Sequence, residues 1–300
     1  MRPIRLCFAA TLGVALALIV SPMNVQAAGP EELTPGPKTL SKEDAAKAQA
    51  DLATATDANT VQLLAFPNPL FRMLALEDAL KKQNVKINWA EEYQKTARGK
   101  LNLDSMTDKA SLAFAIGARL ADGSIALMAK DRVKLEAVAK DAKNCAEKLG
   151  LPAEQILAAN ALARAIADKD WGAAFEQMGW IQQEIVSQLD KKDKNLGATA
   201  LVACGAWMQG IRYASTIVTK NMDAQDLSNS LRGPALVDSI SREFAKLPAE
   251  VRELPAVKES LAVFVEIKPL ISIKRDELIP AEKLTKINEL ATRAVDAALK

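Results

Sequence analysis

Hydrophobic positions recur along most of this chain at the three- and four-residue spacing of amphipathic helices. Charged residues occupy the opposite faces, and no segment shows the period-2 alternation of a strand. The clearest apolar stripes are Val138, Ala142, Cys145 and Leu149; Trp171, Ala174, Met178, Ile181, Ile185 and Leu189; and Leu284, Ile287, Ala291, Ala294 and Ala298. Aromatic residues are few and alanine is abundant, which favours closely packed helices. The pattern predicts an all-α fold of roughly eight to eleven helices.

Glycine and proline predict where several of these helices begin and end. Gly150 ends the helix over 132–149, and Pro152 begins the next one. That next helix is expected to bury Ile156, Ala159, Ala163 and Ile166. The C-terminal part is expected to be divided into short helices by Pro248, Pro255, Pro269 and Pro280.

Two segments, 110–129 and 197–219, are apolar on nearly every face. Such a helix is either buried in a large core or crosses a membrane. The first carries Arg119 and Asp122 near its middle, and the second carries Gln209 and Arg212. A central charge opposes membrane insertion by roughly 2.5–3.5 kcal/mol. The two segments are therefore predicted to be the central helices of a single compact bundle, and two membrane spans are the alternative.

The two central segments share the pattern A-[aromatic]-x-x-G-x-R-x-A-[D/S]. It runs from Ala113 to Asp122 and again from Ala206 to Ser215. This similarity suggests an internal duplication, with two related helical halves at about 85–130 and 175–220. The alternative is chance similarity between alanine-rich helices.

The N-terminus has the three zones of a cleavable secretory signal peptide. Arg2 and Arg5 supply the positive start, residues 6–20 form an apolar run, and Val25-Gln26-Ala27 supplies small residues before the cut. Cleavage is predicted after Ala27. Residues 28–40 are rich in proline and glycine and are expected to form a flexible linker, so the helical domain spans 41–300. The protein is therefore expected to be periplasmic or secreted.

Charge and composition exclude several classes of function. The chain has 39 Lys and Arg against 37 Asp and Glu, and two of the basic residues leave with the signal peptide. The mature chain is thus formally neutral, which argues against nucleic-acid binding. It contains no histidine, so Ser-His-Asp and Cys-His nucleophiles, c-type haem and His-rich zinc or copper sites are excluded. No phosphate-binding glycine motif is present.

The candidate ligand-binding residues are Arg119, Asp122, Arg212 and Tyr213. Arg119 and Asp122 are three residues apart and share a helix face, so they can pair. One interpretation is an internal ion pair that fixes helix register, since a buried charge needs a partner. The other is a polar pocket in which Arg119 and Arg212 clamp an anionic ligand.

Cys145 and Cys204 are the two cysteines that follow the signal peptide. An exported protein can hold them as a disulfide. The alternative is a pair of inert buried thiols, because both lie at positions predicted to be buried.

The expected function is that of an exported, non-enzymatic helical binding or interaction protein of the bacterial cell envelope. Its expected partner is an unknown protein or small molecule, with no cofactor or metal and with membrane contact only during export. Whether it is an enzyme is left open, although the residues argue against it. The alternative is a receptor or enzyme for a small anionic ligand that uses Arg119, Asp122 and Arg212.

Overall fold

A computed structural model describes residues 69–97, 99, 101–151, 156–193, 196–222, 227–274 and 277–299. All of them belong to one compact unit within residues 42–300. The signal peptide and linker predicted for residues 1–40 lie outside the described residues.

The described part of the chain is all-helical and contains no strand, which confirms the predicted fold class. Its eleven α-helices are α1 Pro69–Lys81, α2 Trp89–Thr96, α3 Lys109–Met128, α4 Arg132–Lys148, α5 Leu157–Ala167, α6 Trp171–Lys192, α7 Ala198–Lys220, α8 Pro234–Ala245, α9 Ala249–Arg252, α10 Pro255–Ile271 and α11 Ala281–Leu299. A short 3₁₀ helix, Leu227–Leu231, lies between α7 and α8.

Helices α3 and α7 form the centre of the fold. Every residue from Ala110 to Leu127 in α3 is buried, as is most of α7. The two helices pack against each other. Four further helices pack against both of them: α1, α2, α6 and α11. Helix α4 covers α3, α5 packs on α6, and α10 packs on α11. The two apolar segments are therefore the central helices that the sequence predicts.

Helix α3 is the one helix in the described chain that is long and apolar enough to cross a membrane, and 94% of its most apolar window is buried inside the fold. Protein side chains, rather than lipid, thus surround it. A helix that is apolar on nearly every face is typical of the centre of a large helical core.

Helix starts and stops follow local sequence signals. The carboxylates of Asp108, Asp131 and Asp170 each accept a hydrogen bond from the backbone amide three residues later, which caps α3, α4 and α6. Gly150 has a φ of 78°, so it turns the chain after α4 as predicted. The apolar stripes of α4, α6 and α11 are buried apart from Trp171, which is only partly covered.

Two boundary predictions need correction. Helix α5 begins at Leu157 rather than at Pro152, and residues 152–155 lie outside the described residues. Its buried face also differs from the expected one, because Ala163 is exposed while Leu162 and Ala165 are buried. Pro269 lies in the last turn of α10 and does not begin a new helix. Proline has no backbone N–H and removes one hydrogen bond of the helix, and at this position only two helical residues follow it.

The predicted internal duplication is not confirmed. The helix that precedes α3 has 8 residues, whereas the helix that precedes α7 has 22. The glycines that the sequence pattern aligns also differ in surroundings. A Cβ on Gly117 would lie 1.9 Å from the Val202 carbonyl oxygen, whereas one on Gly210 would meet only the Pro69 side chain, at 3.6 Å. The two segments are thus similar in composition but differ in the contacts they make.

Candidate functional site

Arg119 and Asp122 form a buried ion pair on α3. Their separation of three residues places them about one turn apart on the same helix face. Nη1 of Arg119 lies 2.8 Å from Oδ2 of Asp122, and Nη2 lies 3.0 Å from Oδ2 of Asp141 on α4. Nη2 also donates a hydrogen bond to the carbonyl oxygen of Gly99. One guanidinium is thus matched by two carboxylates, in a place where Arg119 is 1% exposed and Asp122 is 0% exposed.

The second oxygen of Asp122 connects α3 to α7. Oδ1 accepts a hydrogen bond from Nε2 of Gln209 at 2.6 Å and another from the hydroxyl of Tyr213 at 2.8 Å. Gln209 and Tyr213 are four residues apart and therefore lie on the same face of α7. Nε2 of Gln209 is also 3.3 Å from the carbonyl oxygen of Thr96 at the end of α2. We call Arg119, Asp122, Asp141, Gln209 and Tyr213 the Asp122 cluster.

Arg212 lies at the edge of the Asp122 cluster and is half-buried. Its Nη1 donates to Oε1 of Gln209 at 2.6 Å, and its Nε donates to the hydroxyl of Thr292 on α11 at 2.9 Å. Gln209 thus stands between Arg212 and the Arg119–Asp122 pair. The structure brings all four predicted residues into one network, but it links the two arginines through the Gln209 amide.

Burial dominates the electrostatics of the Asp122 cluster. It raises the pKa of the Asp122 carboxyl, against the opposing effects of Arg119, Gln209 and Tyr213. It also raises the pKa of Tyr213 well above its usual value, and the neighbouring Asp122 carboxylate adds to that effect. The pKa of Tyr93, which is partly buried nearby, rises to about 12 for the same two reasons. Both phenols therefore keep their protons at neutral pH, which suits Tyr213 as a hydrogen-bond donor.

Sequence reasoning missed Gln209 and Asp141 as members of the cluster. Gln209 gives a usable signal, because it is an uncharged polar residue in the middle of an apolar helix and three residues before Arg212. Asp141 gives none, because acidic residues are frequent along 132–149 and only the packing of α4 on α3 brings this one to Arg119.

Cys145 and Cys204 are both free thiols in the structure, so the disulfide that the sequence allows is not formed. Cys145 lies on α4, and Cys204 lies on α7, where its thiol is within hydrogen-bonding reach of Ser260 on α10. Burial raises the pKa of each to about 12, so both stay protonated and unreactive in the folded protein.

Apart from the Asp122 cluster, a ligand could be held by a group of metal-binding side chains or by a surface pocket. No group of three or more Cys, Asp or Glu side chains is arranged to hold a metal ion in the described ranges. A pocket of about 90 Å³ lies between the start of α3 and the end of α6, beside the 2.9 Å ion pair of Lys109 and Asp193. It shares no residue with the Asp122 cluster. Ligand sites for drug-sized molecules measure about 300–1,000 Å³, so this pocket is small by that standard.

Comparisons of this chain with protein-family models, with curated proteins and with solved structures find no match.

Proposed function

We propose that this chain is an exported, non-enzymatic helical interaction protein of the bacterial cell envelope. The observation that carries the proposal is the closure of the Asp122 cluster. Its carboxylates, amide, phenol and guanidinium form ion pairs and hydrogen bonds with one another across α3, α4 and α7. Groups used in this way stabilise the packing of helices, so recognition of a partner falls to the outer surface.

The surface of the described chain suits contact with another protein more than binding of a highly charged polymer. Its ion pairs are mostly between residues one turn apart on the same helix, such as Lys81–Glu77 and Arg132–Glu136. Its exposed large apolar side chains lie on separate helices or connecting segments, at Val133, Leu157, Met222, Val265 and Leu278. The signal-like N-terminus supports export, and the neutral balance of charge after its removal supports a protein partner.

The export part of the proposal is tested by expressing the full chain with a C-terminal tag in a Gram-negative host. We expect the tagged protein in the periplasmic fraction, with an intact mass that begins at Ala28. The matched control is Ala27→Phe, which places a large side chain at the cut and should leave the signal attached. A wild-type protein that keeps Met1 and stays in the cytoplasm would refute export.

The interaction part is tested by placing a photo-crosslinking residue at Val133, Leu157 or Val265 in the exported protein. We expect irradiation in cells to give one discrete adduct with an envelope protein from at least one of these positions. Robust turnover of an ester, peptide or glycoside substrate by the pure protein would instead refute a non-enzymatic role.

The alternative function is a receptor for a small anionic ligand. Its support is that Arg119, Asp122, Arg212 and Tyr213 converge, with Arg212 reachable at the edge of the cluster. It requires the bond between Arg212 and Gln209 to open and admit a ligand. Calorimetric titration with acetate tests it: saturable binding that is lost in Arg212→Met and kept in Arg293→Met, a surface arginine on α11, would favour this alternative.

A further inference from the structure

A second deeply buried arginine, Arg72, lies apart from the Asp122 cluster. It is on the first turn of α1 and is 3% exposed. Its Nη1 is fully buried and has no hydrogen-bond partner, and no carboxylate in the described chain forms an ion pair with it. Burial lowers the pKa of the guanidinium to about 10, so it remains positively charged at neutral pH. A full positive charge is thus enclosed without a counter-charge among the described residues.

The position of Arg72 on α1 adds to its positive field. The apolar face of the helix runs through Leu70, Met73, Leu76 and Leu80, and Arg72 lies at the edge of this face, one turn before Leu76. Long side chains on a helix lean back toward its N-terminus, so a residue in the first turn adds its charge to that end of the helix. The first turn is also the positive end of the helix dipole. Both features favour a negatively charged group at this place.

The same protein shows how it balances a buried arginine with its own residues. Arg119 is equally buried, yet it meets Asp122 and Asp141 at 2.8 and 3.0 Å. Arg72 has no such carboxylates in the described chain. A buried charge is strongly unfavourable unless it is paired and hydrogen-bonded. The difference between the two arginines therefore points to a partner that is not among the described residues.

We propose that Arg72 holds a small oxyanion, either a carboxylate or a phosphate group, over the first turn of α1. The planar guanidinium offers two parallel N–H donors that match two oxygens of such a group. The site shares no residue with the Asp122 cluster, and it gives the protein a ligand-binding role beyond contact with a protein partner.

The experiment titrates the full mature chain with inorganic phosphate and, separately, with sodium acetate. Binding is measured by calorimetry and by thermal unfolding at constant ionic strength, up to about 10 mM anion. The variants are Arg72→Met, which removes the charge, and Arg72→Lys, which keeps the charge but loses the paired donors. Arg164→Met, at an exposed position on α5, is the matched control. Arg212→Met distinguishes this site from the alternative receptor at the Asp122 cluster.

We expect saturable binding and a rise in melting temperature for at least one of the two anions. Binding should be absent in Arg72→Met, about tenfold or more weaker in Arg72→Lys, and unchanged in Arg164→Met and Arg212→Met. The anion that binds more tightly identifies the ligand chemistry. Absence of saturable binding of either anion to the wild type would overturn the proposal, as would equal binding by wild type and Arg72→Lys. If Arg72→Met does not fold, the wild-type and Arg72→Lys titrations still decide.

Discussion

The close approach of α3 and α7 at two glycines gives the sharpest stability prediction. A Cβ added to Gly117 would lie 1.9 Å from the carbonyl oxygen of Val202 and 2.7 Å from the amide nitrogen of Ala206. The contact is reciprocal, because a Cβ on Gly205 would lie 2.0 Å from the carbonyl oxygen of Phe114. All of these neighbours are backbone atoms, so no side chain can rotate away. Gly117→Ala therefore requires the two central helices to separate.

The expected magnitude follows from two opposing contributions. Overpacking a close-packed interior costs typically about 1–3 kcal/mol, and a contact with backbone atoms belongs at the upper end or beyond it. Replacement of glycine by alanine inside a helix raises the unfolding free energy by up to about 1 kcal/mol, because alanine has the higher helix propensity. The net loss of unfolding free energy is therefore about 2 kcal/mol or more. For a domain of this size, that corresponds to a fall in melting temperature of about 4–8 °C.

Urea unfolding followed by far-UV circular dichroism measures this loss. Gly179→Ala is the matched control. Gly179 is also inside an α-helix, α6, but a Cβ added there meets no neighbouring atom within 4 Å. The control should be as stable as wild type or more stable, by up to about 1 kcal/mol. If Gly117→Ala proves as stable as Gly179→Ala, the packing of α3 against α7 described above is wrong.

Three further predictions concern α5 and the cysteines. The Glu184 carboxylate accepts hydrogen bonds from the first amides of α5, at 2.8 Å from Leu157 and 2.7 Å from Ala158. Glu184→Ala should therefore cost about 1–2 kcal/mol in urea unfolding, whereas Glu176→Ala, at an exposed position on α6, should change little. Cys145 and Cys204 are buried free thiols, so both should resist iodoacetamide in the folded protein and react after denaturation; a mass two hydrogens lower with no alkylation would contradict this. The Cys204 thiol has its pKa raised from 9.0 to about 12, so its contribution to stability is complete below pH 9 and is lost as the pH rises through 12. Unfolding free energy should therefore fall by up to about 1.4 kcal/mol per pH unit from this thiol above pH 9, and an equal fall in Cys204→Ala would refute that assignment.

The helices could be predicted from sequence because their signals are local. The stripe of α4 from Val138 to Leu149 repeats at helical spacing, and Gly150 supplies the residue with positive φ that ends the helix. The start of α5 could not be predicted in the same way. Its first amides are capped by Glu184, which lies 27 residues later in the sequence and reaches them only because α5 packs on α6. A boundary set by tertiary contact carries no local signal.

In the candidate site, too, some contacts follow from local sequence and others depend on tertiary packing. The Arg119–Asp122 pair follows from helix geometry alone, because three residues make almost one turn. The third charged member, Asp141, comes from α4, and the two uncharged donors come from α7. Their convergence depends on how three helices cross, and one sequence does not determine that. The predicted duplication is also not confirmed, because Gly117 and Gly210 share a sequence pattern but have different neighbours in the structure.

We infer that the Asp122 cluster stabilises the fold and is closed to ligands. The contact between Oδ1 of Asp122 and the Tyr213 hydroxyl, at 2.8 Å, tests it most directly. A double-mutant cycle measures this contact by urea unfolding of Asp122→Ala, Tyr213→Phe and the double variant. We predict that each single variant is destabilised, with a coupling energy of about 1–3 kcal/mol between the two positions. Single variants as stable as wild type, with a coupling energy near zero, would contradict a stabilising role. Saturable acetate binding by the wild type that is lost in these variants would contradict a closed cluster.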